Sequence, residues 1–277
     1  MEYYSLRNGM KIPCIGIGTW QITDRNVMAD VIGRAYDIGY RLIDTAAAYS
    51  NEIALSKAIA SEGIDRNELI LSDKVWNTSR GYLAVQEACR KSLKKLKTDH
   101  LDMYLIHWPK SDGNDDEWFE KVSGSWAAME ELYEQGRVKA IGLSNFLPHH
   151  IRPLLEIARI RPMVDQLELH VGYMQEYTLS YLRNEGILPQ AWSPLGRAKL
   201  INDGAVSKIA AKYGCTNAAL LLRYLNQRGI PVIPKASSKE RMKENLNIFG
   251  FRISADDMSY LSSLPERGWS GEHPDET

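Results

Sequence analysis

The chain has 277 residues, of which 44% are hydrophobic and 25% charged, with a formal net charge of -1. Such a length suits a single α/β barrel, typically about 250 residues, and the composition is globular. The balanced charge excludes a general electrostatic pull toward nucleic acid or an anionic membrane, and no stretch approaches the ~20 apolar residues of a membrane span.

The N-terminal residues carry no apolar run of the signal-peptide kind, so a cytoplasmic protein is expected. Asn8-Gly9 is a two-residue hairpin signal between residues 4–7 and 10–12, which predicts a short β-hairpin ahead of the main fold. After it, short apolar runs alternate with longer amphipathic segments. The runs are Ile15–Gly18, Arg41–Asp44, Leu69–Val75, Leu101–His107, Val138–Leu143, Met163–Glu168, Ile187–Trp192 and Ile230–Ile233. Helical patterns fall at about 27–38, 52–62, 82–97, 125–136, 148–158, 176–185, 206–228 and 239–247, the seventh reading as two helices, Ala205–Tyr213 and Thr216–Arg228, broken at Gly214, with a last helix over Ser254–Leu264. Gly39, Gly63, Gly136, Gly186 and Gly229 sit where left-handed helix caps would need them. Strand and helix alternating in this way predict parallel strands closed into a (β/α)8 TIM barrel, with extra helices near the C-terminus. No Pro/Gly/Ser-rich linker interrupts residues 1–277, so one domain is expected.

The basic run from Arg90 to Lys97 carries Leu93 and Leu96 three apart, which reads as a solvated helix face rather than a binding patch. Cys14, Cys89 and Cys215 are odd in number and have no C-x-x-C spacing, so reduced, mostly buried thiols are expected. An open doubly wound sheet is the alternative architecture. It would favour a G-x-G-x-x-G turn, and Gly16 and Gly18 begin one without the third glycine.

Barrel enzymes hold their active sites at the C-terminal ends of the strands. There the sequence places Gly18, Thr19 and Trp20, then Asp44 and Tyr49, then Lys74 and Trp76. His107 and Trp108, Ser144 and Asn145, Gln166 and Glu168, Trp192 and Ser193, and Lys235 follow on successive strands. Four of these suit one another. An ammonium beside a phenol favours the phenolate, so Lys74 is expected to lower the pKa of Tyr49, while Asp44 holds Lys74 charged. His107 can donate to a substrate oxygen beside the phenol. The set can protonate the alkoxide that develops when a carbonyl is reduced by hydride. Each residue alone has a plainer reading: a helix cap for Asp44, a structural ion pair for Lys74, packing for His107. The histidines at 100, 149, 150 and 273 show no ligand spacing with acids or cysteines, so no metal is expected.

The sequence resembles the aldo-keto reductase family, in the style of its compact prokaryotic members. DTAAAYSNE from Asp44 to Glu52 is similar to the family's D-T-A-x-x-Y-x-N-E segment. SDKVW from Ser72 resembles its lysine strand and LIHWP from Leu105 its histidine strand. GLSNF from Gly142, QLELH from Gln166, AWSPLG from Ala191 and IPK from Ile233 also fit in order. The resemblance implies reversible, NADPH-dependent reduction of aldehydes and ketones, acting on CH–OH donors in the reverse direction. It makes Asp44, Tyr49, Lys74 and His107 the catalytic tetrad, with Tyr49 the general acid. It implies that Ser144, Asn145 and Gln166 hold the nicotinamide carboxamide and that Trp192 stacks on the ring. Gly18, Thr19, Trp20, Asp44, Ser193, Leu195 and Gly196 would complete the cofactor contacts. Lys235 and Arg241 would bind the 2′-phosphate, Glu244 and Asn245 the adenine. Ala236 stands where many relatives have serine, with Ser237 and Ser238 as nearby hydroxyls. Trp20, Tyr49, Trp76, His107, Trp108 and Trp269 would line the substrate pocket, whose mouth the tail Trp269–Thr277 would approach. Short loops after strands four and seven would leave that mouth open, with Lys74 its lone cation. The resemblance also implies a monomer whose partner is a small-molecule carbonyl compound. A cofactor-binding regulatory subunit with little turnover is the alternative function; a divalent-metal isomerase or hydrolase on the same fold is a further one.

Overall fold

A computed structural model describes residues 2–276. It begins with a hairpin, β1 (Tyr3–Ser5) against β2 (Lys11–Pro13). The turn is longer than the two residues that Asn8-Gly9 predicts: Leu6 N–H donates to Met10 O and Gly9 N–H to Leu6 O. Gly9 has a φ of 84° and Asn8 stays at negative φ. A type I′ turn needs positive φ at both central residues, so the connection takes the longer loop instead.

Eight parallel strands follow: β3 (Ile17–Gly18), β4 (Leu42–Asp44), β5 (Ile70–Val75), β6 (Met103–Ile106), β7 (Ile141–Ser144), β8 (Val164–Glu168), β9 (Leu188–Trp192) and β10 (Val232–Ile233). Each pairs with the next in sequence. Backbone bonds from Gly16 N to Val232 O (2.9 Å), Val232 N to Cys14 O (2.9 Å) and Gly18 N to Pro234 O (3.1 Å) join the first strand to the last and close the barrel. The first and last strands are shorter than their apolar runs because Ile15 touches the sheet through an isolated bridge to Val232. Strands β6, β7 and β8 are buried throughout, as expected where helices cover the outside and side chains fill the inside.

The helices are α1 (Arg25–Ile38), α2 (Glu52–Ser61), α3 (Tyr82–Leu96), α4 (Trp118–Glu134), α5 (Pro148–Ile157), α6 (Glu176–Asn184), α7 (Gly204–Lys212), α8 (Asn217–Gln227), α9 (Lys239–Leu246) and α10 (Ala255–Ser263). The long pattern over 206–228 is two helices broken at Gly214, as expected, and that glycine has a φ of 60°. Helix α4 starts seven residues before its apolar pattern. The basic run lies on α3, which buries Val85, Cys89, Leu93 and Leu96 and exposes Arg90, Lys91 and Lys94. Burial pushes the thiol of Cys14 up to about 11 and that of Cys89 up to about 12, so both stay protonated and unreactive at neutral pH. No described helix is long and apolar enough to cross a membrane.

Along β5 successive side chains face opposite sides, so Lys74 and Asp73 part company. Lys74 turns to the barrel interior. Asp73 is fully buried, and its burial, followed by the charge of Glu52, pushes its carboxyl up to about 7. An acid whose folded pKa is raised favours folding in its protonated form. Its ionisation therefore costs stability progressively from about pH 4, the ordinary carboxyl range, to about pH 7. Asp73→Asn keeps an oxygen for the Lys74 N–H, which Asp73 Oδ1 accepts at 2.8 Å. The variant is expected to be more stable than wild type at pH 8, by at most about 4 kcal/mol, with the gain shrinking to nothing near pH 4. Urea unfolding at pH 4, 6 and 8 checks this; a gain independent of pH would contradict it.

Candidate active site

The C-terminal ends of the strands surround one cavity of about 790 Å3. Asp44, at the end of β4, is 4% exposed. Its Oδ2 accepts from Lys74 Nζ at 2.6 Å and its Oδ1 from Gln166 Nε2 at 2.9 Å. Lys74 Nζ also donates to Thr45 O at 3.0 Å and lies 5.3 Å from the centre of the Tyr49 ring. Burial pulls the Lys74 ammonium down, but Asp44, with Tyr49 and Asp73 beside it, more than offsets this, so the lysine stays charged.

Tyr49 ends a short 3-10 turn, Ala47–Tyr49, that follows β4. Asn51 sets the path of that turn. Its Oδ1 accepts from Thr45 Oγ1 at 2.9 Å, and its Nδ2 donates to Thr19 O (2.8 Å) and Ile22 O (3.1 Å). Burial raises the Tyr49 phenol more than the Lys74 charge lowers it, so the net shift is upward. This corrects the lowered value expected from the sequence: taking the phenol out of water outweighs the neighbouring ammonium.

The His107 ring meets Tyr49 edge-on at 5.9 Å and Trp76 at 5.1 Å, and stacks at 6.3 Å on Trp108. Burial, then the charges of Lys74 and Arg80, lower its pKa well below the ordinary range, so the imidazole is neutral. A neutral imidazole donates from one nitrogen. Arg80 holds the following loop by donating to the carbonyls of Trp108, Pro109 and Lys110.

Asn145, left-handed at φ 65°, donates through Nδ2 to His107 O (3.0 Å) and Ser144 Oγ (3.1 Å). Its Oδ1 accepts the indole N–H of Trp192 at 2.8 Å, which fixes that ring. Gln166 Nε2 also reaches Gln190 Oε1 at 2.9 Å. Gln190 went unnoticed in the sequence, although a glutamine inside an apolar strand is a signal for a polar barrel interior.

The cavity is lined by Gly18, Trp20, Asp44, Tyr49, Trp76, His107, Trp108, Ser144, Asn145, Gln166, Trp192, Ser193, Leu195, Lys235, Ala236, Ser237 and Arg241. Thr19, Lys74, Gly196, Ser238, Glu244, Asn245 and Trp269 are not in the lining; Lys74 lies buried behind it, on Asp44. Thr19 is buried, with its hydroxyl on Asp44 O. Ser238 caps α9, accepting the Arg241 N–H at 3.3 Å. Asn245 is buried on α9, and Glu244 lies exposed on the same helix. Trp269 stacks on Tyr173 at 6.0 Å instead of facing the cavity.

One further correction concerns the mouth. Arg197 and Glu272 line it as an ion pair of 2.7 Å, whereas Lys74, the cation expected there, is buried and outside the lining. The tail approaches the mouth, as expected, and lines it through Glu272. Ser270 N and Oγ donate to Glu168 at 3.0 and 2.6 Å, and Lys199 Nζ donates to Trp269 O at 2.8 Å. Glu168, a rim carboxylate in the sequence, thus anchors the tail. Thr277 lies outside the described residues.

The histidines do converge on an acid. His149 and His150 Nε2 stand 3.0 and 2.9 Å from Asp275 Oδ1, with Lys110 at 3.8 Å. His150 Nδ1 accepts the Leu147 N–H at 3.1 Å, which leaves the hydrogen of the neutral ring on Nε2, facing Asp275. The cluster clasps the tail; that nitrogen has no lone pair for a metal.

Closed barrel and strand-end cavity together define a (β/α)8 protein with its polar and ionisable cluster at the C-terminal ends of the strands. A model of the aldo/keto reductase family matches residues 14–266, and the chain belongs to that family of oxidoreductases. It is 39% identical over 271 residues to the glyoxal reductase of Bacillus subtilis (strain 168), covering 98% of this chain and 95% of that one. It is 36% identical over 274 residues to the 9,11-endoperoxide prostaglandin H2 reductase of Trypanosoma cruzi, covering 98% and 94%. Among solved structures, a Gox0644 mutant in complex with NADPH superposes with a TM-score of 0.91 at 34% identity, covering 99% of this chain and 97% of that one.

Proposed function

We propose that the protein reduces aldehydes and ketones to alcohols with NADPH, reversibly, with Tyr49 as the general acid. The observation that carries this reading is the convergence of Tyr49 and His107 in one cavity with a lysine fixed by Asp44 at 2.6 Å. NADPH is the cofactor of the family. This chain fits it: the cavity runs without a break from Tyr49 to Lys235 and Arg241, and neither cation forms an ion pair among the described residues. Trp192 offers an indole face, fixed through Asn145, for the nicotinamide. Ser144, Asn145 and Gln166 stand beside it for the carboxamide, and Lys235 and Arg241 take the 2′-phosphate.

When bound, the cofactor supplies the hydride that adds to the carbonyl carbon. Tyr49 donates its proton to the carbonyl oxygen as negative charge develops there. His107, neutral, donates a hydrogen bond to the same oxygen and orients the carbonyl. Lys74 stabilises the phenolate left behind, and Asp44 keeps Lys74 in place. Trp20, Trp76 and Trp108 supply broad apolar walls that exclude water and read little of the substrate beyond its carbonyl.

Such walls discriminate weakly, since a methylene is worth about 1–3 kcal/mol. NADPH consumption with 4-nitrobenzaldehyde, methylglyoxal, a cyclic ketone, glucose and a sugar phosphate tests the reading. Aromatic aldehydes and the dicarbonyl are expected to turn over well and glucose poorly. Absence of turnover with all five would favour the regulatory alternative; highest kcat/KM for the sugar phosphate would sink the broad-pocket reading.

Ser238 is committed to its helix cap, and Ala236 is buried, so the 2′-phosphate depends on Lys235, Ser237 and Arg241. A charge-assisted hydrogen bond is worth roughly 1.5–3 kcal/mol. Arg241→Ala is therefore expected to raise the Kd for NADPH more than tenfold while changing that for NADH little. Titration by tryptophan quenching reads both, and equal weakening of the two would show that Arg241 does not read the 2′-phosphate.

A further inference from the structure

Arg197 has no part in the steps above, yet its position is tightly determined. It lies in the loop after β9, where Ser193, Arg197 and Ala198 all hold left-handed backbone, at φ 51°, 51° and 68°. Side chains seldom adopt that conformation, and it tends to persist where function uses it. Ser193 Oγ accepts the Arg197 N–H at 2.9 Å and tightens the loop. Gly196 is left-handed too, at φ 58°, and a Cβ there would come within 2.9 Å of Leu200 Cγ and force a shift. The loop turns the guanidinium back over the cavity. Its central carbon lies 4.9 Å from the centre of the Trp20 ring and 5.7 Å from that of Trp192.

One face of the group is thus set against aromatic rings, and its edge meets a carboxylate. Arg197 Nη2 donates to Glu272 Oε2 at 2.7 Å. Its Nε is buried and has no hydrogen-bond partner among the described residues. The planar fork of a guanidinium suits two parallel bonds to a carboxylate, and Glu272 leaves Nε unmet. Glu272 belongs to the tail, with its N–H on Ser270 Oγ at 3.1 Å and Ser270 on Glu168. A carboxylate carried by the chain itself therefore sits in the cavity mouth, beside the walls that face Tyr49.

We propose that Arg197 is a carboxylate-binding residue of this cavity, and that carbonyl substrates bearing a carboxylate displace Glu272 from it. This rests on the proposed carbonyl reduction. It adds a polar subsite to a pocket whose other walls are apolar, and it selects among substrates by charge. The loop cation also faces the region in which a cofactor diphosphate would lie, so the test separates the two anions.

The probes are 4-carboxybenzaldehyde and 4-nitrobenzaldehyde, which share ring and geometry and differ in charge. Arg197→Gln is expected to lower the ratio of their kcat/KM values, carboxylate over nitro, by about tenfold or more, the effect of losing charge-assisted hydrogen bonds. Glu272→Gln is expected to raise the same ratio, because the competing carboxylate is gone. A ratio unmoved by either variant overturns the proposal. So does an Arg197→Gln variant that weakens NADPH binding, read by tryptophan quenching, while the ratio holds; the anion read would then be the diphosphate. Should wild type reduce neither aldehyde, the proposed function fails, and quenching by 4-carboxybenzaldehyde without turnover still decides this site. Weakening of that binding by Arg197→Gln supports the proposal, and unchanged binding overturns it.

Discussion

Tyr49→Phe is expected to lower kcat/KM for aldehyde reduction by about 10²–10⁴-fold, the usual contribution of a positioned general acid. Removing the hydroxyl takes away the proton that the alkoxide needs and leaves the ring, its edge-on contact with His107 and the loop held by Asn51 in place. NADPH binding should therefore stay near wild type. The pH profile adds a second reading. Reduction needs the protonated phenol, so activity is present below the Tyr49 pKa and lost as pH rises through it. Burial has raised that pKa above the ordinary phenol value, so the alkaline limb should lie high. His107 is neutral through the working range and should add no limb near 6.5. Steady-state rates from pH 5 to 10.5 check both points. A Phe variant that kept half the wild-type kcat with chemistry rate-limiting would remove Tyr49 from the mechanism.

Lys74→Met is expected to be as inactive as the tyrosine variant, and it should also be less stable. It leaves Asp44, 4% exposed, with Gln166 as its remaining side-chain partner. Removing one member of a buried ion pair typically costs about 3–5 kcal/mol, because the other charge is left uncompensated. The double variant Asp44→Asn with Lys74→Met should recover most of that stability and none of the rate. Asp44→Asn alone should be milder, since Lys74 keeps Thr45 O as a partner and still faces Tyr49. Urea unfolding and single-turnover rates separate the two effects. An unchanged rate and pH profile in Lys74→Met would exclude the lysine from the proton transfer.

Much of this site could be read along the chain because strand ends advertise themselves. A polar residue closing an apolar run, as Asp44 or His107 does, has a plain structural reading alone, but the barrel brings all such ends to one rim, and their conjunction is the signal. The residues that escaped notice act across long sequence distances. Asn51 was visible as a letter in a motif, but its grip on Thr19 O and Ile22 O exists only once two loops meet. Gln190 and Arg80 are alike in this: each bonds to a neighbour on another strand or loop, Gln190 to Gln166 and Arg80 to the carbonyls after His107.

By itself the sequence determined the strand and helix alternation and the parallel barrel, and it offered Asp44, Tyr49, Lys74 and His107 as candidates at the strand ends. Apolar periodicity and glycine caps are local signals, and local signals survive in a linear reading. The tertiary structure decided whatever depends on burial or on distant partners. It turned the Tyr49 shift upward, because desolvation is a property of the packed site and not of the pair. It took Trp269 out of the pocket and placed Glu272 in it, 75 residues from Arg197 in the chain. No periodicity announces such a pairing; the free energy that selects it comes from contacts made only after the barrel has closed.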